Sequence, residues 1–76
     1  MKIEILGMGC PRCKKLYENA KKAVEAKGIQ AEVFKIEDIN KIAEYGILSM
    51  PAIAIDGNVK ASGRVPEPEE IERWIT

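Results

Sequence analysis

The sequence predicts a single α/β domain, residues 1–76, in which a mixed four-stranded sheet is flanked by helices. Short apolar segments of strand length alternate with longer segments whose apolar residues recur at helical spacing. One strand-length segment, residues 52–55, is followed by Asp56-Gly57, a pair typical of the tight turn in a hairpin. The predicted order is strand-helix-strand-helix-strand-strand-helix.

The first strand is predicted over residues 2–6, which carry three large apolar side chains. Residues 7–9 form a flexible bend. The helix starts at Pro11, because the first helical position needs no N–H, and Gly28 is expected to end it. Its apolar face comprises Cys13, Leu16, Tyr17, Ala20, Ala23 and Val24.

The second strand is predicted over residues 31–36. Asp38 is a plausible N-cap for a short helix that ends near Gly46. The apolar residues of that helix are Ile39, Ile42 and Ala43. We expect the first two connections to be right-handed crossovers between parallel strands.

The continuous apolar run at residues 52–55 is typical of a strand that is buried on both faces. The tight turn after it predicts an antiparallel return strand over residues 59–61, which Gly63 breaks. The last helix opens within residues 66–70, where acidic side chains suit the helix dipole. Its buried stripe comprises Ile71, Trp74 and Ile75.

Composition excludes several functions. The net charge is zero and the pI is about 6.3, which gives no electrostatic footprint for nucleic acid or an anionic membrane. No apolar run approaches the ~20 residues of a membrane span. The N-terminal apolar segment is too short for a secretory signal, and Glu4 interrupts it. The chain has no histidine, which excludes histidine catalysis and ligation. We expect a soluble, cytoplasmic monomer that binds neither nucleic acid nor membrane.

The two cysteines of the chain lie in Cys10-Pro11-Arg12-Cys13, between the first strand and the first helix. Positions three apart at a helix start are neighbours, so the thiols can approach disulfide distance. A strand running into Cys-x-x-Cys at a helix N-terminus is typical of a redox site. A purely structural bridge is the weaker interpretation. A disulfide that closes so small a loop removes only ~2 kcal/mol of entropy from the unfolded state, so it stabilises the fold little.

This cysteine pair, Ser49-Met50-Pro51 before the third strand, the Asp56-Gly57 hairpin and the late Gly63 occur in an order that resembles the thioredoxin/glutaredoxin superfamily. The resemblance spans the whole chain and is strongest to the small prokaryotic redox-active disulfide proteins. It implies a minimal thioredoxin fold, whose strand order it also supplies. The implied function is a thiol–disulfide oxidoreductase that reduces or exchanges protein disulfides.

The resemblance also implies roles for particular residues. Cys10 would attack the substrate disulfide and Cys13 would resolve the mixed disulfide, with support from Pro11 and Arg12. Pro51 would be cis and would lie beside the cysteine pair. The backbone of Met50 would then pair with an extended substrate. The candidate substrate-binding residues are Met8, Gly9, Met50 and Gly63.

The chain departs from the glutaredoxin pattern. The lysine shortly before the first cysteine is missing, and only Gly63 represents the paired glycines near the last strand. These departures argue against dedicated glutathione binding. No organic cofactor is needed, and an upstream reductase or a low-molecular-weight thiol would restore the dithiol. Glu4 lies six residues before Cys10, where thioredoxins carry a buried acid. For a strand glutamate we expect a solvated side chain.

Two other functions stay open at this point. Met8, Cys10 and Cys13 also fit the Gly-Met-x-Cys-x-x-Cys loop of heavy-metal-associated domains, and soft sulfur ligands suit Cu(I). Those domains have the order strand-helix-strand-strand-helix-strand, whereas a helix is predicted here at residues 68–75. The third alternative is a redox-sensing interaction module, which the sequence does not separate from an enzyme.

Overall fold

Strands and helices follow one another in the predicted order. The structure is a computed structural model, and it describes residues 1–47 and 49–75. The elements are β1 (Lys2–Leu6), α1 (Pro11–Lys27), β2 (Glu32–Ile36), α2 (Ile39–Glu44), β3 (Ala52–Ile55), β4 (Asn58–Ser62) and α3 (Pro68–Trp74). Within the described residues, no helix has the length and apolarity that crossing a membrane requires.

The strands form one four-stranded mixed sheet in the order β2-β1-β3-β4. β1 and β2 are parallel, whereas β3 runs antiparallel to both β1 and β4. The prediction that the second connection also joins parallel strands is therefore wrong. The six residues of α2 rise by only about 9 Å. They do not return the chain along a strand of about 17 Å, so β3 starts at the edge where β2 ends.

The direction of β3 decides what lies at that edge. Leu6, the last residue of β1, is in register with Ile36 of β2 and with Ala52, the first residue of β3. The loop after β1 and the segment before β3 therefore meet at the same edge. The cysteine pair lies in the first of these segments and Pro51 lies in the second.

One face of the sheet packs against α1 and α3. Its buried core comprises Ile3, Ile5, Leu16, Ala20, Ala23, Ile53, Ile55, Ala61, Ile71 and Ile75. The predicted apolar face of α1 is confirmed, but the face also holds Asn19, which is 1% exposed. The side-chain amide of Asn19 donates to the carbonyl oxygen of Pro66 at 3.0 Å. This bond ties α1 to the segment before α3.

The other face of the sheet packs against α2. Leu6, Ile42, Ala52 and Ala54 form its buried cluster. Asp38 caps α2 as predicted, because its Oδ1 accepts from the Asn40 backbone N–H at 2.9 Å. Of the three apolar residues predicted on α2, only Ile42 is buried. A helix of six residues has fewer than two turns, so few of its side chains can face the sheet.

The hairpin between β3 and β4 turns at Asp56 and Gly57, as predicted. Both residues have positive φ, 50° and 87°. Such values are required at both central positions of the tightest common hairpin turn, and aspartate and glycine adopt them readily. The turn therefore fixes β4 as the antiparallel partner of β3.

Candidate active site

A disulfide joins Cys10 and Cys13 at the N-terminus of α1. Cys10 is the N-cap residue, with extended backbone, and Pro11 occupies the first turn. The Cα atoms of the two cysteines are 5.0 Å apart. The helix start thus holds the two sulfur atoms together, as the spacing in the sequence predicted.

One backbone N–H at this helix start faces the sulfur of Cys10. The Cys13 N–H donates to Cys10 Sγ at 3.1 Å, and the Lys14 N–H donates to the Cys10 carbonyl oxygen at 3.1 Å. An N–H donor and the positive end of the helix dipole favour a thiolate over a thiol. The arrangement can therefore hold a reactive thiolate on Cys10 once the disulfide is reduced.

The two cysteines differ in exposure. Cys10 is partly exposed, whereas Cys13 is 6% exposed and belongs to the buried residues of α1. Met8, two residues before Cys10, is 55% exposed. Cys10 is therefore the more accessible of the two cysteines.

Gly7 lies where β1 and the start of α1 come closest. A Cβ built on Gly7 would overlap Cys13 Sγ, would lie 3.1 Å from Cys13 Cβ and would lie 3.9 Å from Pro51 Cα. Gly7 is buried, and its φ is not positive. Residues 7–9 form the predicted bend, and Gly7 is its buried first residue. This position needs glycine for the space it leaves to Cys13.

Pro51 is fully buried, and the Met50–Pro51 peptide bond is cis, in agreement with what the resemblance implies. The Gly63 N–H donates to the Pro51 carbonyl oxygen at 2.9 Å. The Arg12 guanidinium donates to the Gly63 carbonyl oxygen at 3.0 Å. These bonds connect the start of α1, the loop after β4 and the entry to β3. Met50 stays 39% exposed beside them.

Glu4 differs from its prediction. It is 7% exposed rather than solvated, because it lies on the α2 face of the sheet. The Tyr45 hydroxyl donates to Glu4 Oε1, and Lys2 Nζ lies 3.9 Å from Glu4 Oε2. No sequence pattern pointed to Tyr45, since it lies 41 positions away in the chain.

The bond to Glu4 raises the pKa of Tyr45 to about 12, with smaller contributions from burial and from the charge of Glu44. Because the folded-state pKa is raised, this contribution to stability is complete below the ordinary pKa of about 10. It is lost as the pH rises through about 12.

We expect the Tyr45→Phe variant to lack this loss of stability between about pH 10 and about pH 12. Difference absorbance of tyrosinate between wild type and variant should show one transition near the upper value. Denaturant unfolding across the same range measures the stability. A difference spectrum centred at the ordinary tyrosine pKa of about 10 would contradict the bond to Glu4.

The heavy-metal-associated alternative fails on the order of elements. Two strands in succession follow α2, and α3 comes after them. This is the order of the thioredoxin fold rather than strand-helix-strand-strand-helix-strand.

Comparison with known proteins agrees with this geometry. Residues 1–76 match the family described as thioredoxin domain. A thioredoxin of Methanothermobacter thermautotrophicus is 45% identical over 76 residues, which cover 100% of this chain and 99% of the relative. A thioredoxin of Methanocaldococcus jannaschii is 47% identical over 73 residues, which cover 96% of this chain and 84% of the relative.

Proposed function

This chain belongs to the thioredoxin family, and on that premise we propose that Cys10 is its attacking thiol and Cys13 its resolving thiol. The protein is a thiol–disulfide oxidoreductase of the protein-disulfide reductase type. Its substrates are protein disulfides, and a reductase partner returns it to the dithiol state. The difference in exposure between the two cysteines carries the assignment of roles.

The reaction proceeds by two exchanges. The Cys10 thiolate attacks one sulfur of the substrate disulfide, and the other substrate sulfur leaves as a thiolate. The Cys13 thiol then loses its proton and attacks Cys10 Sγ. The bond between Cys10 and the substrate breaks, and the second substrate sulfur leaves. The substrate gains two electrons from the two cysteines, which form the disulfide seen here, and its two thiolates take up one proton from Cys13 and one from solvent.

We place the substrate chain along the segment before β3. Met50 is 39% exposed next to the buried Pro51, and we propose that its backbone groups pair with an extended peptide. Met8 and Gly9 border Cys10 on the other side, and Gly63 supports the Pro51 carbonyl. Pro11 and Arg12 support the site by starting the helix and by bonding to Gly63.

We propose a cytoplasmic monomer that uses no organic cofactor and takes electrons from a reductase or a low-molecular-weight thiol. The zero net charge supports the further proposal that neither nucleic acid nor an anionic membrane is a partner.

Insulin reduction tests this function, and alkylation of the reduced protein tests the roles. We expect the protein to accelerate insulin precipitation in the presence of a dithiol reductant. We expect iodoacetamide to label Cys10 before Cys13 at pH values below the ordinary thiol pKa of about 8.5. Peptide mapping after brief labelling distinguishes the two thiols. Faster labelling of Cys13 would reverse the roles.

A further inference from the structure

Arg12 lies between the two cysteines, and its side chain reaches the loop after β4. The guanidinium donates to the Gly63 carbonyl oxygen at 3.0 Å, and Arg12 is exposed. Arginine has five N–H donors, so one hydrogen bond leaves most of the guanidinium available. Within the described residues Arg12 forms no ion pair, whereas Arg64 binds Glu70 through two nitrogens. A guanidinium without a carboxylate partner among those residues therefore lies beside the cysteine pair.

Gly63 places this guanidinium next to the segment proposed to bind the substrate. The Gly63 N–H donates to the Pro51 carbonyl oxygen at 2.9 Å. A Cβ built on Gly63 would lie 3.0 Å from Ser49 Cβ. Gly63 therefore lies against the residues on both sides of Met50. A peptide that pairs with the Met50 backbone has its own side chains within reach of Arg12.

Charges of opposite sign flank the cysteine loop. β2 and β4 are the two outermost strands of the sheet, with β1 and β3 between them. Arg12 is bonded to the loop after β4. Glu37 directly follows β2, and its Oε2 lies 3.0 Å from the position that a Cβ on Gly9 would occupy. A bound peptide therefore meets a cation on the β4 side of Cys10 and a carboxylate on the β2 side.

The start of α1 adds to the positive charge on the β4 side. Its first turn contains no acidic residue, and the exposed Lys14 and Lys15 follow Arg12 closely. The whole chain has 12 basic and 12 acidic residues, so this excess of cations is local. Arginine pairs with a carboxylate through two parallel hydrogen bonds, which a single carbonyl oxygen does not offer. A carboxylate brought to this place is therefore a better partner for Arg12 than the Gly63 carbonyl.

We propose that Arg12 selects disulfide substrates that carry an aspartate or glutamate close to the attacked cysteine. Its guanidinium pairs with that carboxylate while the peptide lies along Met50. Arg12 takes no part in the exchange of sulfur atoms, so it acts as a specificity residue. The proposal deepens the proposed function, because it rests on Cys10 as the attacking thiol and on Met50 as the substrate-binding segment.

Short peptides with one cysteine, held in a disulfide with pyridinethiol, test this preference. Attack by Cys10 on the peptide sulfur releases pyridinethione, which stopped-flow absorbance records. This leaving group is uncharged, so the substrates differ in charge only through the peptide. One pair of peptides has aspartate or asparagine directly before the cysteine, and a second pair has them directly after it. The protein variants are Arg12→Gln, Arg12→Lys and Lys15→Gln, the last as a matched exposed cation on the same helix.

We expect the wild type to react about two- to fivefold faster with the aspartate peptide of one pair, the range for an exposed ion pair. The other pair should lack this preference, because its variable residue lies towards Glu37. Arg12→Gln should bring the ratio of rates to about one, and Lys15→Gln should keep it. Arg12→Lys should retain part of it, since lysine keeps the charge without the paired donors. Salt at about 1 M should shrink the wild-type preference, because it screens exposed charges beyond about 3 Å.

The ratio of rates isolates the contact with the substrate. An effect of Arg12 on the Cys10 thiolate or on the fold changes both rates of a pair equally and cancels. Equal wild-type rates within both pairs would overturn the proposal, as would a preference that persists in Arg12→Gln. An equal preference in both pairs would also overturn it, since it would indicate a general attraction to the protein. Failure of the proposed function has a different signature, because Cys10→Ser would then release pyridinethione as fast as the wild type from every peptide.

Discussion

Replacing Cys10 with serine is expected to abolish the reduction of protein disulfides. Thiol–disulfide exchange requires a thiolate, and a serine hydroxyl does not ionise at neutral pH. The loss should be complete in insulin reduction, to the background rate of the reductant alone. The fold should persist, because serine is close to cysteine in size and Cys10 is partly exposed at the helix cap.

Cys13→Ser makes the complementary test. Cys10 can still attack, but no second thiol releases the substrate, so a mixed disulfide should accumulate. Intact-mass spectrometry after mixing with a disulfide substrate measures the adduct, and a reducing agent should remove it. Glu18→Gln is the control, since it changes an exposed side chain elsewhere on α1 and retains both thiols. Absence of an adduct on Cys13→Ser would refute the assigned roles.

Gly7→Ala is expected to destabilise the oxidised protein by about 1–3 kcal/mol, the usual cost of overpacking a core. The added methyl group would overlap Cys13 Sγ and crowd Cys13 Cβ at 3.1 Å. Guanidinium unfolding should show a lower midpoint with an unchanged slope. Glu18→Gln again serves as the control, because substitutions at exposed positions usually change stability by no more than about 0.5 kcal/mol.

Whether Gly7→Ala lowers or raises stability distinguishes close packing at this position from a flexible bend. At a position where alanine fits, replacing glycine stabilises a protein by about 0.4–1 kcal/mol, since it restricts the unfolded chain. A flexible bend at Gly7 would therefore give a more stable variant. A midpoint higher than that of the wild type would show that β1 and α1 do not approach each other as closely as Gly7 and Cys13 indicate.

Local features of the chain were determined by the sequence alone. The redox pair was predicted from its spacing, because residues three apart at a helix start are neighbours. The limits of α1 were predicted from Pro11 and Gly28, and the hairpin from Asp56-Gly57, and all of these are confirmed. Each depends on the conformational preferences of a few consecutive residues, which act wherever those residues occur.

Tertiary structure alone decided how these elements assemble into a site. The short α2 and the pairing with β1 set the direction of β3, which brings Pro51 to the edge where the cysteines lie. The bonds of Asn19 to Pro66 and of Tyr45 to Glu4 join residues 47 and 41 positions apart. Such contacts leave no local pattern, because they depend on which surfaces pack together once the whole core is buried.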